Sequence, residues 1–129
     1  MNDAVKAWIA KAEGDFETAA RELSVSSRPN YDAVCFHCQQ CIEKLLKGAL
    51  KCLDVDPPHV HDIAYLTKLL SDAGMALNAD ERDLRLLGQS AVVFRYPGEN
   101  ATAEDAKEVM AICTRLRVAL LKLIDEEYV

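Results

Sequence analysis

The stretch Tyr31–Leu53 constrains this chain more than any other. Val34, Cys38, Cys41, Leu45 and Ala49 lie along one helical stripe, and Cys35, Ile42, Leu46, Leu50 and Leu53 lie along the neighbouring one. Two adjacent stripes make an apolar surface too wide for a helix at the edge of a fold. The pattern predicts a helix packed on several sides, at the centre of a helical bundle. Pro57-Pro58 follows, so the helix must end in a loop over Asp54–His59.

The rest of the chain repeats the helical period between short breaks. Val5, Trp8, Ile9, Ala12, Phe16, Ala19 and Leu23 predict an amphipathic helix over Asp3–Leu23, broken by the polar run Ser24–Pro29. A short helix after Asp62 carries Ile63, Leu66, Leu69, Leu70 and Ala73, with Gly74 as its C-terminal cap. A fourth is expected from Asn78, with Glu81 three residues on as a capping box and Leu84, Leu87 and Ala91 facing inward. It must stop near Arg95, before Pro97-Gly98. Thr102 and Asp105 start a fifth, with Ala106, Val109, Cys113, Leu116, Leu120 and Leu123 inside. Its acidic end, Asp125-Glu126-Glu127, opposes the helix dipole and is expected to fray. No segment alternates with the period of a strand. The expected fold is therefore all-α: an antiparallel up-down bundle of four long helices plus one short helix, in one domain spanning residues 1–129.

Composition narrows the function. Half of the residues are hydrophobic and 28% are charged, enough for a core and incompatible with disorder. The net charge of -6 counts against a nucleic-acid coat or an anionic-membrane binder. No apolar run has the roughly 18 residues of a spanning segment. The first residues lack the layout of a signal peptide, so the expected location is cytoplasmic. The five cysteines then read as free thiols. Cys35, Cys38 and Cys41 suggest a metal site on paper, with His37 between them. On a continuous helix, however, Cys35 and Cys41 lie about 120° apart. Small core residues are the better reading, for Cys52 and Cys113 as well, and neither a metal nor a cofactor is expected.

Three stretches are more specific. They are Phe36-His37-Cys38-Gln39-Gln40-Cys41-Ile42-Glu43-Lys44-Leu45-Leu46-Lys47-Gly48-Ala49-Leu50, then His59-Val60-His61-Asp62-Ile63, then Phe94-Arg95-Tyr96-Pro97-Gly98. In order and spacing they resemble the HEPN family, the nucleotide-binding domain of higher eukaryotes and prokaryotes. That family shows a "His-Ala-Gln-Gln-Ala-x-Glu-Lys-x-Leu-Lys-Ala" helix, a "His-Asp-Leu" helix start and an "Arg-Tyr-Pro" break. The resemblance runs through almost the whole chain. It implies a helical bundle that forms homodimers. It also implies a possible partner, a minimal nucleotidyltransferase, in a toxin–antitoxin-like pair. Some members of the family are metal-independent ribonucleases; others bind nucleotides or act as non-catalytic partners.

The nuclease branch carries an Arg followed, after four to six residues, by a His. The Arg stabilises charge on a phosphorane-like transition state, and the His moves a proton. Here Arg95 stands at the expected place, but Asn100, Ala101 and Thr102 occupy the positions where the His belongs. The three histidines, His37, His59 and His61, all lie upstream of Arg95. No catalytic residue is therefore assigned, apart from Arg95 in the alternative of a divergent endoribonuclease acting on RNA. The expectation is a binding or regulatory module with a nucleotide bound in the dimer cleft, and with enzyme activity undecided but disfavoured.

The candidate ligand-binding residues are Arg95, Tyr96, Lys44, Lys47 and His61. Each has a structural reading beside the functional one. Arg95 suits the last turn of a helix, or an ion pair with an acid such as Glu43. Tyr96 and Pro97 suit packing and helix termination. His61 either anchors the third helix or faces a cleft; His59 reads as solvated. Lys44 and Lys47, continued by Lys51, form either an anion patch or a solvated face. Arg82 and Arg85 form a similar pair. The nucleotidyltransferase signature, a P-loop and a Gly-rich dinucleotide turn are all missing from the sequence, so nucleotide transfer would belong to the partner.

Overall fold

The computed structural model describes residues 1–94 and 96–128. Five helices follow one another: α1 (Asp3–Ser24), α2 (Tyr31–Cys52), α3 (Ile63–Asp72), α4 (Glu81–Val93) and α5 (Ala103–Glu127). No strand occurs among the described residues. Each helix begins where a side chain takes over an orphaned backbone amide. Asn2, Asn30, Asp62, Asp80 and Thr102 accept from the N–H groups of Val5, Ala33, Tyr65, Arg82 and Asp105. At α5 the expected capping box is complete, with Asp105 accepting in return from the Thr102 N–H. Gly74, at φ 108°, takes the left-handed position after α3.

Pairs of contacting residues set the helix directions. Between α1 and α2, Glu22 meets Asn30, Asp15 meets His37, and Trp8 meets Gly48, so these helices run antiparallel. Between α2 and α5, Ala101 just ahead of α5 meets Asp32, and Met110 meets Cys38, so these two run parallel. The fold is the expected all-α bundle. Helix α2 packs against all four other helices. Its residues Ile42, Leu45, Leu46, Ala49 and Leu50 are fully buried, joined by Val5, Leu66, Leu87, Leu120 and Ile124 from the others. The two apolar stripes of α2 thus each find a partner surface.

Four local expectations change. Helix α4 starts at Glu81 and is capped by Asp80, not by Asn78. Met75 and Leu77 are buried, and this holds the segment before Asp80 against the core in a non-helical path. The acidic end of α5 stays helical through Glu127, because Ile124 is anchored in the core. The inward residue of that last stretch is Ile124, while Leu123 is half-buried. Finally, Cys52 is only half-buried, whereas Cys35, Cys38, Cys41 and Cys113 are buried core thiols. Burial pushes the Cys35 thiol up to about 11, with the nearby Asp105 and Asp32 carboxylates adding to the shift.

Gly48 is where α1 comes closest to α2. A Cβ built there would stand 3.1 Å from the Trp8 Cβ. Gly48→Val should therefore cost about 1–3 kcal/mol of stability through overpacking. Urea unfolding followed by the fluorescence of Trp8, the single tryptophan, checks this; an unchanged midpoint would contradict the close approach. The thiols give a second test. A thiolate-selective reagent at pH 8 should label Cys52 first, and should reach Cys35, Cys41 and Cys113 only on unfolding. Fast labelling of Cys35 in the folded protein would contradict the burial described here.

Candidate functional site

The polar side chains of α2 cluster around two carboxylates. The first is Asp15, which interrupts the buried Ala12–Ala19 face of α1. One of its oxygens lies 2.7 Å from His37 Nδ1, and the other accepts from Lys44 Nζ at 2.6 Å. Asp15 thereby fastens α1 to α2 at two points.

The second carboxylate is Glu43, and its side chain is 5% exposed. An anion this deeply buried is tolerated only with close donors. Lys47, one turn on, donates to Oε2 at 3.2 Å and is itself 8% exposed. Gln39, one turn back, donates to Oε1 at 3.1 Å. The same Gln39 amide also donates to the backbone carbonyl of His61 at 3.1 Å. His61 Nδ1 then lies 3.1 Å from both Glu43 oxygens. The Gln39–Glu43–Lys47 ladder thus captures the residue that precedes the α3 cap. Lys47 Nζ also lies 5.9 Å from the centre of the Trp8 ring, so its charge faces an aromatic surface as well as Glu43.

His61 is 80% exposed in spite of this anchor. It stands at one end of a groove of about 690 Å³ between the start of α3 and the length of α4. Leu84, Gly88, Val92 and Val93 give that groove its apolar wall, and Asp62, Glu81, Arg85 and Gln89 give it polar edges. Val92 and Val93 are exposed, as is Tyr96 just beyond α4. A volume of this order falls in the range of small-ligand sites.

The sequence candidates fall into three groups. Arg95 lies outside the described residues. His61 and Tyr96 are exposed, His61 at the groove and Tyr96 just past α4. Lys44 and Lys47 are held in ion pairs with Asp15 and Glu43, so Lys47 belongs to the interior and not to a solvated face. Lys51 pairs with the exposed Asp56, and this contact holds the Asp56 carboxyl below its ordinary range. His59 is exposed, as expected. Among the residues in the nuclease-motif window, Ala101 is buried and donates its N–H to Asp32 at 2.7 Å, and Thr102 caps α5. Arg82 and Arg85 part company: Arg82 pairs with Glu108 on α5, and Arg85 turns to the groove.

Sequence reasoning missed Asp15 and the separate position of Arg85. Asp15 had a readable signal, since an acid three residues after Ala12 and four before Ala19 sits in an inward stripe. Glu43 and Lys47 likewise carry the i,i+4 order that favours pairing. Nothing local distinguishes Arg85 from Arg82, because the difference depends on where α5 lies. Among the described residues no cluster of three or more His, Cys, Asp or Glu side chains has the geometry to hold a metal ion. No described helix is long and apolar enough to cross a membrane.

Comparisons with known proteins agree with this architecture. The structure is similar to the crystal structure of ST0689, an archaeal HEPN homologue, with 25% sequence identity and a TM-score of 0.68, covering 93% of this chain and 97% of that one. It is also similar in fold to TT1696 from Thermus thermophilus, with 19% identity and a TM-score of 0.72, covering 98% of this chain and 99% of that one. No curated protein matches the chain. The HEPN domain model matches residues 5–123, nearly the full length, and the chain belongs to the HEPN domain family.

Proposed function

We propose that this HEPN domain is a binding or regulatory module that acts as a homodimer with a minimal nucleotidyltransferase, and holds a nucleotide in the dimer cleft. One observation carries this reading. Where the nuclease branch of the family would have its proton-transferring histidine, this chain has none: Asn100 is exposed, Ala101 is buried and tied to Asp32 through its backbone N–H, and Thr102 caps α5. An imidazole at 102 would remove the side-chain cap of α5, and one at 101 would have to fit a buried position. The other ionisable groups favour recognition too. Lys44 and Lys47 are neutralised by Asp15 and Glu43, and His37 is bound to Asp15. Lys44 and Lys47 are spent in these ion pairs and hold the helices together. His61, Tyr96 and Arg95 remain as the candidates for direct contact. The exposed Val92, Val93 and Tyr96 suit a protein surface that becomes covered in an assembly.

The reading predicts two results. Native mass spectrometry of the protein recovered gently from its own cells should show a complex with a second small protein carrying the nucleotidyltransferase signature. RNA incubated with the purified protein in a metal chelator should stay intact, and Arg95→Ala should leave that outcome unchanged. A lone homodimer that cleaves RNA in chelator, and loses the activity in Arg95→Ala, would replace this reading with the ribonuclease alternative.

A further inference from the structure

The seam between α2 and α5 holds sulfurs that the proposed binding function does not use. Cys38 and Cys41 lie three residues apart on α2, and Met110 and Cys113 lie three apart on α5. Within each pair the two side chains share one helix face. The helices run parallel, so the offset that brings Cys38 to Met110 also brings Cys41 to Cys113. The Cys38 Sγ lies 3.5 Å from the Met110 Sδ, and the Cys113 Sγ lies 3.6 Å from the Cys38 carbonyl oxygen. The Cys113 thiol also meets the thiols of Cys38 and Cys41. Four sulfurs from two helices thus occupy one layer of the core. The three cysteines are fully buried, and Met110 is half-buried at the edge of the layer. Among the described residues the thiols alone do not have the geometry to hold a metal ion. The Met110 thioether, in contact with Cys38, supplies a further donor.

We propose that this layer is a Cu(I) site, with the Cys38 and Cys113 thiolates and the Met110 thioether as ligands and Cys41 as the hydrogen-bond donor to Cys113. Thiolate and thioether sulfurs are soft donors and select Cu(I) over ions that prefer carboxylate or water. Zn(II) takes four donors in a closed site, one more than this set provides. With metal–sulfur bonds of about 2.3 Å, two sulfurs on one ion stand roughly 4 Å apart. The 3.5 Å contact between Cys38 and Met110 therefore needs only a small opening. Each ligating thiol gives up its proton to solvent as the metal binds. The Cys113 thiol is pushed up, first by its contact with Cys38 and then by burial, while Cys41 and Arg117 act against the shift. The layer therefore keeps its protons until a soft cation displaces them. Two thiolates and one monovalent cation leave a single negative charge, and Arg117 lies one turn after Cys113 to offset it.

Anaerobic titration of the reduced protein with Cu(I), supplied as its acetonitrile complex and competed with bicinchoninate, tests this. One ion should bind per chain, with a sulfur-to-copper absorption band in the near ultraviolet and only sulfur neighbours in X-ray absorption. The affinity should rise with pH, as release of the thiol protons requires. Cu(I) should also raise the unfolding midpoint of the native protein. Cys38→Ala and Cys113→Ala should each weaken binding more than about 100-fold, beyond the range for a residue that only orients a ligand. Met110→Leu keeps the volume and should weaken it too. Cys52→Ala, outside the layer, should leave the affinity unchanged. If the cysteine variants do not fold, Met110→Leu and the X-ray absorption of the native protein still decide. Binding that Cys52→Ala abolishes, or that Met110→Leu leaves intact, overturns the assignment. Nitrogen or oxygen neighbours around the copper overturn it too, as does the lack of any binding in competition with bicinchoninate.

Discussion

A carboxylate buried in the middle of α2 organises this molecule. Glu43 cannot sit in an apolar interior alone, since an uncompensated buried charge costs several kcal/mol. Gln39 and Lys47 answer it from one turn to either side, and His61 answers it from the loop before α3. The consequence is positional. The chain that leaves α2 through Pro57-Pro58 must return so that His61 lies over Glu43, and α3 then starts at Ile63, directly after its cap Asp62. The α3–α4 groove takes its open end from that constraint.

The same logic recurs along α2. Asp32 near its start holds the backbone before α5, and His37 and Lys44 hold Asp15 of α1. Together these polar contacts tie α2 to α1, to α5 and to the loop before α3, while its apolar stripes supply the packing. Burial provides most of the free energy of such a bundle but little directional information. The polar contacts fix register, because each works at only one relative position of two helices. On the far side, Arg117 of α5 donates to Glu13 of α1 at 2.8 Å and stacks on Phe16. This arrangement uses ionisable residues for assembly. It leaves Arg85 and the outer edge of His61 facing the groove, a distribution that suits recognition better than proton-transfer chemistry.

Most of the fold is legible in the sequence because helical periodicity is a local property. The double stripe of α2 places that helix at the centre, and the Thr102–Asp105 capping box places the start of α5. The start of α4 is ambiguous in the sequence because Asn78 and Asp80 are both competent caps. The choice falls to Asp80 once Met75 and Leu77 are drawn into the core, which is a tertiary effect. The site is less legible. The motif residues His61 and Lys47 can be named, but whether a charge faces a ligand or another side chain depends on the neighbouring helix. Lys47 turns inward to Glu43, and Arg85 turns outward while Arg82 finds Glu108.

The claim that Glu43 governs the arrangement is tested most directly by equilibrium urea unfolding of Lys47→Met, alone and combined with Glu43→Gln. Lys47→Met keeps the volume and removes the charge that faces the buried carboxylate. The account predicts a loss of about 3–5 kcal/mol for the single variant. It also predicts that Glu43→Gln recovers a large part of that loss, because no charge is then left unpaired. If Lys47→Met unfolds at the native midpoint, or if the two losses simply add, the buried pair does not hold the fold in the way described.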